Sequence, residues 1–353
     1  MKSVLLSPQA VRVIDYLNSV NYIPTIAEIG SSVGLSASTT WRILKSLRSQ
    51  DIKFKAVTNL ANLGLTEVLL VYRTRLPLNK IPKKLLRSLI RTLEGVTLLK
   101  YVTKIHEVES VVNYVISGIG VEPSEVYVLD TVIPPKYVST QIARGSLDKI
   151  YLRELIAVAS VPHPLGRSYS SGRVDPIDVV LVNKLEEDAL VKVKDVYRSM
   201  KKVGKAPSYQ TFLKHYRSHI LERGVIAGIR PTLEKFIEKH AIVTRKLLVM
   251  YGTPHSLSKG VRAVIAIPGF TEAYLNAKEG VAYSIASIPH GLIPKIADFL
   301  GLLESRGLVK EWMLYELDPA SSIRYPIPEV LGAMSVSEVL SKLSLDQHYS
   351  SSS

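Results

Sequence analysis

The sequence predicts an α+β protein in which one plan is used twice: a trihelical unit containing a helix-turn-helix, then a domain of alternating strands and helices. Three observations predict it. Residues 25–47 read as a helix, a tight turn and a second helix. A looser copy of that pattern returns at residues 175–226. Each copy is followed by β-branched runs that alternate with amphipathic stretches.

The first helix begins at Ser7-Pro8, a cap with proline at the first helical position, and Val11, Ile14 and Leu17 form its buried stripe. Thr25 and Glu28 make the capping box of the second helix. Gly34 supplies the left-handed residue of the turn, and Ser36 caps the third helix. Around that helix Thr40, Ile43, Leu44 and Leu47 fall on one side, with Ser38, Arg42, Lys45 and Ser49 opposite. Small residues in the first turn and cations along the polar face suit a helix that enters a DNA groove.

Here the chain resembles the Lrp/AsnC family of prokaryotic regulators, in Gly34-Leu35-Ser36, Arg42, Leu47 and the later Leu63-Gly64-Leu65. Asp51 stands where that family usually has glycine after the third helix. The resemblance implies two winged helix-turn-helix units, each followed by a ferredoxin-like βαββαβ domain that senses ligands and oligomerises. It also implies an archaeal, tandem form of the family.

Thr66 to Arg75 reads as a strand, residues 81–93 as an amphipathic helix, residues 96–105 as a strand, Val108 to Ile116 as a short helix, and residues 125–132 as a strand. That order, βαβαβ, lacks one strand of the βαββαβ plan, so the first copy is expected to be degenerate. Residues 148–160 read as a further helix, and the Pro/Gly/Ser-rich run from His163 to Arg173 as the linker.

Asp175-Pro-Ile-Asp178 is a strong helix start, with Ile177, Val180, Leu181 and Leu185 as its core face. A basic helix spans 192–203, and residues 204–207 form its turn. Ser208 caps a helix expected to bury Tyr209, Phe212, Leu213, Tyr216 and Ile220 and to expose Gln210, Thr211, Lys214, Arg217 and Ser218. Gly224 closes the unit. The second domain reads strand (245–251), helix (257–267), strand (270–277), strand (281–288), helix (292–304), strand (310–317), with Gly280 breaking its hairpin. Each half then leaves its last strand through prolines, Ile133-Pro-Pro135 and Tyr325-Pro-Ile-Pro328. The expected divisions are a first winged unit at 1–60, a ferredoxin-like domain with its helix at 61–162 and a linker at 163–174. A second winged unit at 175–232, a second domain with a C-terminal helix at 233–346 and a disordered tail at 347–353 complete the chain.

Composition narrows the function. The 353 residues carry a formal charge of +14, and 46% are hydrophobic. Cores for two or more domains and a polyanionic partner follow. Ten of the cations lie between Lys192 and Arg230, against only Asp195 and Glu222. The absence of cysteine excludes disulfides and thiolate-ligated metals. No apolar run is long enough for a membrane span and no signal-like segment stands at the start, so a soluble, cytoplasmic protein with no membrane partner is expected. Few Met and many Ile, Val and Leu suit a thermophile.

No P-loop or dinucleotide fingerprint occurs, and no cofactor is expected. His215 and His219, at i and i+4, have the spacing of metal ligands, but the sequence places no carboxylate beside them except Glu222. Phosphate contact or plain surface is therefore expected there and no metal. Asp175, Asp178 and Glu186-Glu187-Asp188 read as cap and surface charges, and His163, His255 and His290 as loop residues without a catalytic role.

The sequence thus reads as a DNA-binding transcriptional regulator, not an enzyme, folded as an intrachain pseudo-dimer on double-stranded DNA. The expected DNA-binding residues are Ser36, Ser38, Thr39, Arg42, Lys45 and Arg48 in the first unit, and Ser208, Gln210, Thr211, Lys214, Arg217 and Ser218 in the second. The family resemblance adds homo-oligomerisation and a small-molecule effector near Gly280 and Tyr283, the latter standing where the family has an aspartate. Two alternatives stay open. Siroheme decarboxylases are also built from paired Lrp/AsnC-like units, with Arg-Arg-x-Gly-Ala after the third helix where this chain has Val225-Ile-Ala-Gly-Ile-Arg230. Winged helices also serve as protein–protein assembly modules.

Overall fold

The computed structural model describes residues 6–137, 152–160, 174–202, 207–319, 323–334 and 338. The linker at 163–173, most of the turn at 204–207, His163 and the tail lie outside the described residues.

Local signals act as expected in the first trihelical unit. Helix α1 (Pro8–Ser19) is capped by the Ser7 hydroxyl, α2 (Ile26–Val33) by a complete Thr25/Glu28 box, and α3 (Ala37–Ser49) by Ser36. Gly34 takes the left-handed conformation at φ 70. Val11, Ile14, Leu17, Leu44 and Leu47 are buried together. Strand β1 (Phe54–Thr58) follows α3.

The next segment gives strands β2 (Leu65–Tyr72), β3 (Leu86–Arg91) and β4 (Thr97–Lys104), helix α4 (Val108–Ile119) and strands β5 (Glu125–Leu129) and β6 (Thr131–Ile133). The amphipathic helix expected over 81–93 is therefore a strand. Its entry residue Leu85 has φ 61, a value no helix contains, and every residue of β3 is buried. Pairing with β4 gives both faces cover, so Arg87 and Arg91 sit inside instead of facing solvent. Tertiary pairing overrode a helical period. The first copy consequently lacks a helix and not a strand. The single strand expected over 125–132 is also two, because the chain changes sheets at Asp130.

Helix α5 (Leu152–Ser160) leads to the second trihelical unit, formed by α6 (Pro176–Glu187), α7 (Val193–Lys202) and α8 (Tyr209–Lys214). Helix α8 runs on as a π-helical stretch, His215–Leu221, into β7 (Ile226–Pro231). Phe212 and Ile220 are buried, but Tyr209 is 38% exposed, contrary to expectation. It stacks edge-on against Tyr197 at 4.9 Å near the helix start. Then come α9 (Glu234–His240), β8 (Val243–Tyr251), α10 (Pro254–Ile265), β9 (Phe270–Asn276), β10 (Val281–Pro289), α11 (Ile293–Ser305), β11 (Glu311–Glu316) and the short β12 (Ile323–Arg324). From β8 to β11 the order is the expected one.

Three antiparallel sheets result. One has the order β12-β3-β4-β2-β5, a second β11-β8-β10-β9-β6, and the third is the two-stranded pair β1-β7. The exchange is reciprocal: β6 of the first half edges the second sheet, and β12 of the second half edges the first. Gly228 of β7 belongs to this crossover, since a Cβ there would stand 2.8 Å from the Pro134 ring that follows β6. Both proline-rich exits are held by asparagines of the trihelical units. Asn18 donates to Pro135 O (2.6 Å) and accepts from Tyr137 N, while Asn183 exchanges two bonds of 2.8 Å with Ile327. Between the large sheets lies an apolar contact that includes Leu69, Ile90 and Leu98 from one and Leu247 and Tyr283 from the other. Helices α10 and α11 cover the outer face of the second sheet, and α5, from the first half, packs there as well. The Arg262 guanidinium donates to Val158 O at 2.8 Å.

Candidate functional site

Where the two large sheets diverge beside the β1-β7 pair, they leave a cavity of about 700 Å³. That is within the usual range for small-molecule sites. Seven Lys and Arg side chains line it against five carboxylates. Lys53 and Lys55 come from β1 and the turn before it, Lys100 from β4, Arg230 from β7, Arg245 from β8 and Arg324 from β12. Both halves of the chain are needed to assemble it.

A chain of alternating charges runs through the cavity wall and into the interior behind it. Lys100 Nζ lies 3.0 Å from Glu67 Oε2, and Glu67 Oε1 is 3.5 Å from Arg87 Nε. Arg87, only 2% exposed, pairs with Glu186, which also meets the more exposed Arg324 at 3.4 Å. Arg324 reaches Glu272 at 3.0 Å, and Glu272 reaches Arg230 Nε at 2.9 Å; Arg230 pairs in turn with Glu234. Burial opposes ionisation of Glu272 and Glu186, but Arg230 and Arg324 at the first, and Arg87 and Arg324 at the second, more than reverse it and hold both carboxyls low. Glu186 is thus an interior residue, contrary to the surface role read from its acidic run. Burial pushes the Lys100 ammonium down to about 8, partly opposed by Glu67. Lys55 is lowered by burial and then by Arg230.

Four of the five carboxylates of the cavity stand in ion pairs, and the fifth, Glu238, accepts a hydrogen bond from the Ser287 hydroxyl at 3.2 Å. Asp51 pairs with Lys239, Glu187 with Lys184, and Glu234 and Glu272 with Arg230. Among the described residues Lys53, Lys55, Lys235 and Arg245 make no ion pair. Their charge is open to an anion. The apolar part of the wall joins Leu89, Ile90, Ile285 and Ile323 to two tyrosines: Tyr274 stacks on Tyr283 at 5.2 Å and 17°, and Lys100 lies 3.5 Å from the Tyr274 ring centre. Burial raises both phenols well above their ordinary value, so they stay protonated. The Tyr283 hydroxyl is buried without a hydrogen-bond partner, which costs free energy unless a ligand meets it.

Of the two residues expected near an effector, Tyr283 lines this cavity and Gly280 does not. Gly280 makes the β9–β10 turn at φ 61, where a Cβ would collide with Gly252 O at 2.1 Å. The residues expected to meet DNA lie away from the cavity. Ser36, Ser38, Arg42, Lys45 and Arg48 are exposed on α3 and Thr39 is half-buried. Arg48 is tied to Asp188 at 2.8 Å, and Lys45 lies 5.3 Å from the exposed Trp41 ring. Ser208, Gln210, Thr211, Lys214 and Arg217 are exposed and Ser218 is half-buried. The strands after the two third helices, β1 and β7, pair with each other in register from Phe54↔Pro231 to Val57↔Gly228.

His215 and His219 are brought together with Asp175 and Asp178, their ligand atoms all within 4.8 Å of one another. The expected lack of a nearby carboxylate is corrected here, because α6 supplies two. Asp178, read as a surface charge, is fully buried. Sequence reasoning missed Lys100, Arg230, Glu272 and Arg324 at the cavity. The signal was available: Lys100 stands inside the apolar run 98–102, and Arg87 and Arg91 in another. A cation within a buried strand needs a partner or a ligand.

No protein-family model matches the chain, and no curated protein matches it in sequence. The crystal structure of the siroheme decarboxylase NirDL is similar in fold, with a TM-score of 0.53 and 11% identity over 96% of this chain and 99% of that one. The same decarboxylase in complex with an iron-uroporphyrin III analogue gives 0.47 and 12%, over 95% and 99%. An anthrone oxidase-like protein gives 0.29 and 7%, over 77% and 96%. The likeness to the first is one of fold, a mixed α+β architecture shared over nearly the full length. No helix among the described residues is long and apolar enough to cross a membrane.

Proposed function

We propose that the cavity between the sheets takes a tetrapyrrole of the siroheme class and that the chain acts on it as a siroheme-decarboxylase-like enzyme. The observation that carries this reading is the set of uncompensated cations around a cavity walled by stacked tyrosines. A flat macrocycle with a carboxylate rim matches both features, by stacking and by charge. The fold likeness agrees with it. The run Val225–Arg230 departs from the decarboxylases' Arg-Arg-x-Gly-Ala motif, but it still delivers Arg230 to the cavity. In this reading each half is a winged helix-turn-helix unit with a ferredoxin-like domain, and the chain is its own pseudo-dimer.

The chemistry asked of the residues is modest. A side-chain carboxylate leaves as CO₂ when its C–C bond breaks, and the electron pair left on carbon must take up a proton. Tyr274, Tyr283 and Lys100 are proton-bearing groups in the wall. Lys53, Lys55 and Arg245 would orient the carboxylates that are not lost. Anaerobic titration with siroheme tests the proposal by a shift of its visible absorption, and mass spectrometry of the pigment reads loss of CO₂. Unshifted spectra at micromolar protein would sink it.

A second reading is DNA binding through α3 and α8, favoured by the exposed cations Arg42, Lys45, Lys214 and Arg217, none of which forms an ion pair among the described residues. Its two recognition helices differ, so an asymmetric site is expected. Binding to random duplex DNA should weaken steeply with salt. A flat dependence would leave the cavity as the function.

A further inference from the structure

Counted from their helix caps, the two trihelical units differ at matched positions. Ser7-Pro8 caps α1 and Asp175-Pro176 caps α6, so Ala10 corresponds to Asp178. Ser36 caps α3 and Ser208 caps α8, so Ile43 corresponds to His215. The first unit thus carries hydrocarbon where the second carries a carboxylate and an imidazole. The helix from Ser208 to the turn at Gly224 is also one residue longer than that from Ser36 to Asp51, and the extra residue is taken up by the π-helical stretch that begins at His215. Such insertions cost helix geometry and are frequent at functional sites.

We infer that Asp175, Asp178, His215 and His219 form a closed site for a divalent transition metal, zinc first, that clamps the third helix of the second unit to α6. Four ligand atoms on a tetrahedron with zinc-length bonds lie about 3.3 Å apart. The separations here surround that value. His215 Nδ1 is 2.8 Å from Asp175 Oδ2 and 3.1 Å from Asp178 Oδ1. His219 Nδ1 is 3.0 Å from the same Asp178 Oδ1, 3.9 Å from Asp175 Oδ2 and 3.1 Å from His215 Nδ1. Two nitrogens and two carboxylates converge on one point.

The rest of the local bonding leaves one oxygen of each carboxylate available, since Asp178 Oδ2 accepts from Asp175 N and Oδ1 stays clear of the cap. Capping of α6 uses Asp175 Oδ1, which accepts from Ile177 N and Asp178 N, so Oδ2 remains for a ligand. Asp178 is fully buried and His215 and His219 largely so, and a buried carboxylate needs a compensating charge. Two carboxylates and two neutral imidazoles balance a divalent ion. Nitrogen and oxygen donors without thiolate suit zinc, iron, nickel or manganese more than a soft ion. Four protein ligands leave no open position, so the site is structural.

The metal site is independent of what the cavity binds, and it is tested on the full chain without pigment or DNA. The protein is stripped with chelator and titrated with Co²⁺, then with Zn²⁺. The expected result is one Co²⁺ per chain with the strong visible bands of a tetrahedral ion, displaced by stoichiometric Zn²⁺. Zinc should raise the melting temperature by several degrees. His219→Gln and Asp178→Asn should abolish the bands while far-ultraviolet circular dichroism stays native. Absence of tetrahedral bands in the native chain, with a melting temperature indifferent to zinc and chelator, overturns the site. Stoichiometric binding that survives in the His215→Gln/His219→Gln double variant overturns the assignment to these residues. Should a variant fail to fold, the Co²⁺ spectrum and the zinc-dependent melting of the native chain still decide.

Discussion

Asp51 and Gly224 occupy the same turn in the same left-handed conformation, with φ of 62 and 63. Each ends the third helix of its unit with the same pair of bonds. Asp51 N donates to Arg48 O and Ile52 N to Leu47 O, while Gly224 N donates to Leu221 O and Val225 N to Ile220 O, all at 3.0 or 3.1 Å. The aspartate therefore keeps the turn geometry that a glycine takes in the second unit, and its carboxylate pairs with Lys239.

This relationship predicts unequal substitutions. Gly224→Ala has room for its methyl group, with Asn62 Nδ2 the nearest atom at 3.6 Å, so its cost is the backbone's, about 1–2 kcal/mol. Asp51→Gly relieves that strain and loses only a partly exposed pair, so stability should stay unchanged or rise. Urea denaturation of the two variants reads the difference. Equal destabilisation would contradict it.

Lys100 predicts a pH dependence. Its folded value of about 8 lies below the ordinary lysine range, so the unfolded chain binds more protons from there up to about 10.4. Stability should therefore rise with pH across that window. Affinity for a carboxylate ligand should fall over the same window as the ammonium discharges. Lys100→Met should flatten both profiles in thermal melts and in pigment titrations.

Tyr283→Phe removes a buried hydroxyl that has no partner. The variant should be as stable as the native chain or more so by up to about 1 kcal/mol. Its affinity for the pigment should fall several-fold. A large loss of stability would mean that the hydroxyl is satisfied in solution.

Glu272 holds Arg230 and Arg324 across the seam of the two halves. Glu272→Gln leaves a buried guanidinium short of a charge, at a cost of about 3–5 kcal/mol. Because the Glu272 carboxyl is held low, its contribution is present above the ordinary glutamate value and is lost only as pH falls well below 4. Acid denaturation monitored by circular dichroism should accordingly begin at higher pH in the variant.

Much of the fold is legible in the amino-acid order alone. Caps at Ser7, Thr25, Ser36, Asp175 and Ser208 fall where local chemistry puts them, because a cap is decided by two or three neighbouring residues. The alternation of β8 to β11 is readable for the same reason. Residues 81–93 are not, since Leu85, Leu86, Leu89 and Ile90 satisfy a helical period and a doubly covered strand equally well. Only the neighbouring strand β4 breaks that tie. The cavity is illegible in a stronger sense, as Lys100, Arg230 and Arg324 are far apart in sequence and meet only after the halves have traded β6 and β12.

The sequence by itself determined the duplicated plan, the trihelical units and the surplus of positive charge. All three follow from local periodicity, capping and counting. Tertiary structure decided where the charge goes. Lys214 and Arg217 remain on the surface, while Arg87, Lys100 and Arg230 are drawn inside and the histidine pair is set against Asp175 and Asp178. The physical reason is that burying a charge depends on partners from distant segments, and nothing within one helix or strand states which partners the fold will bring.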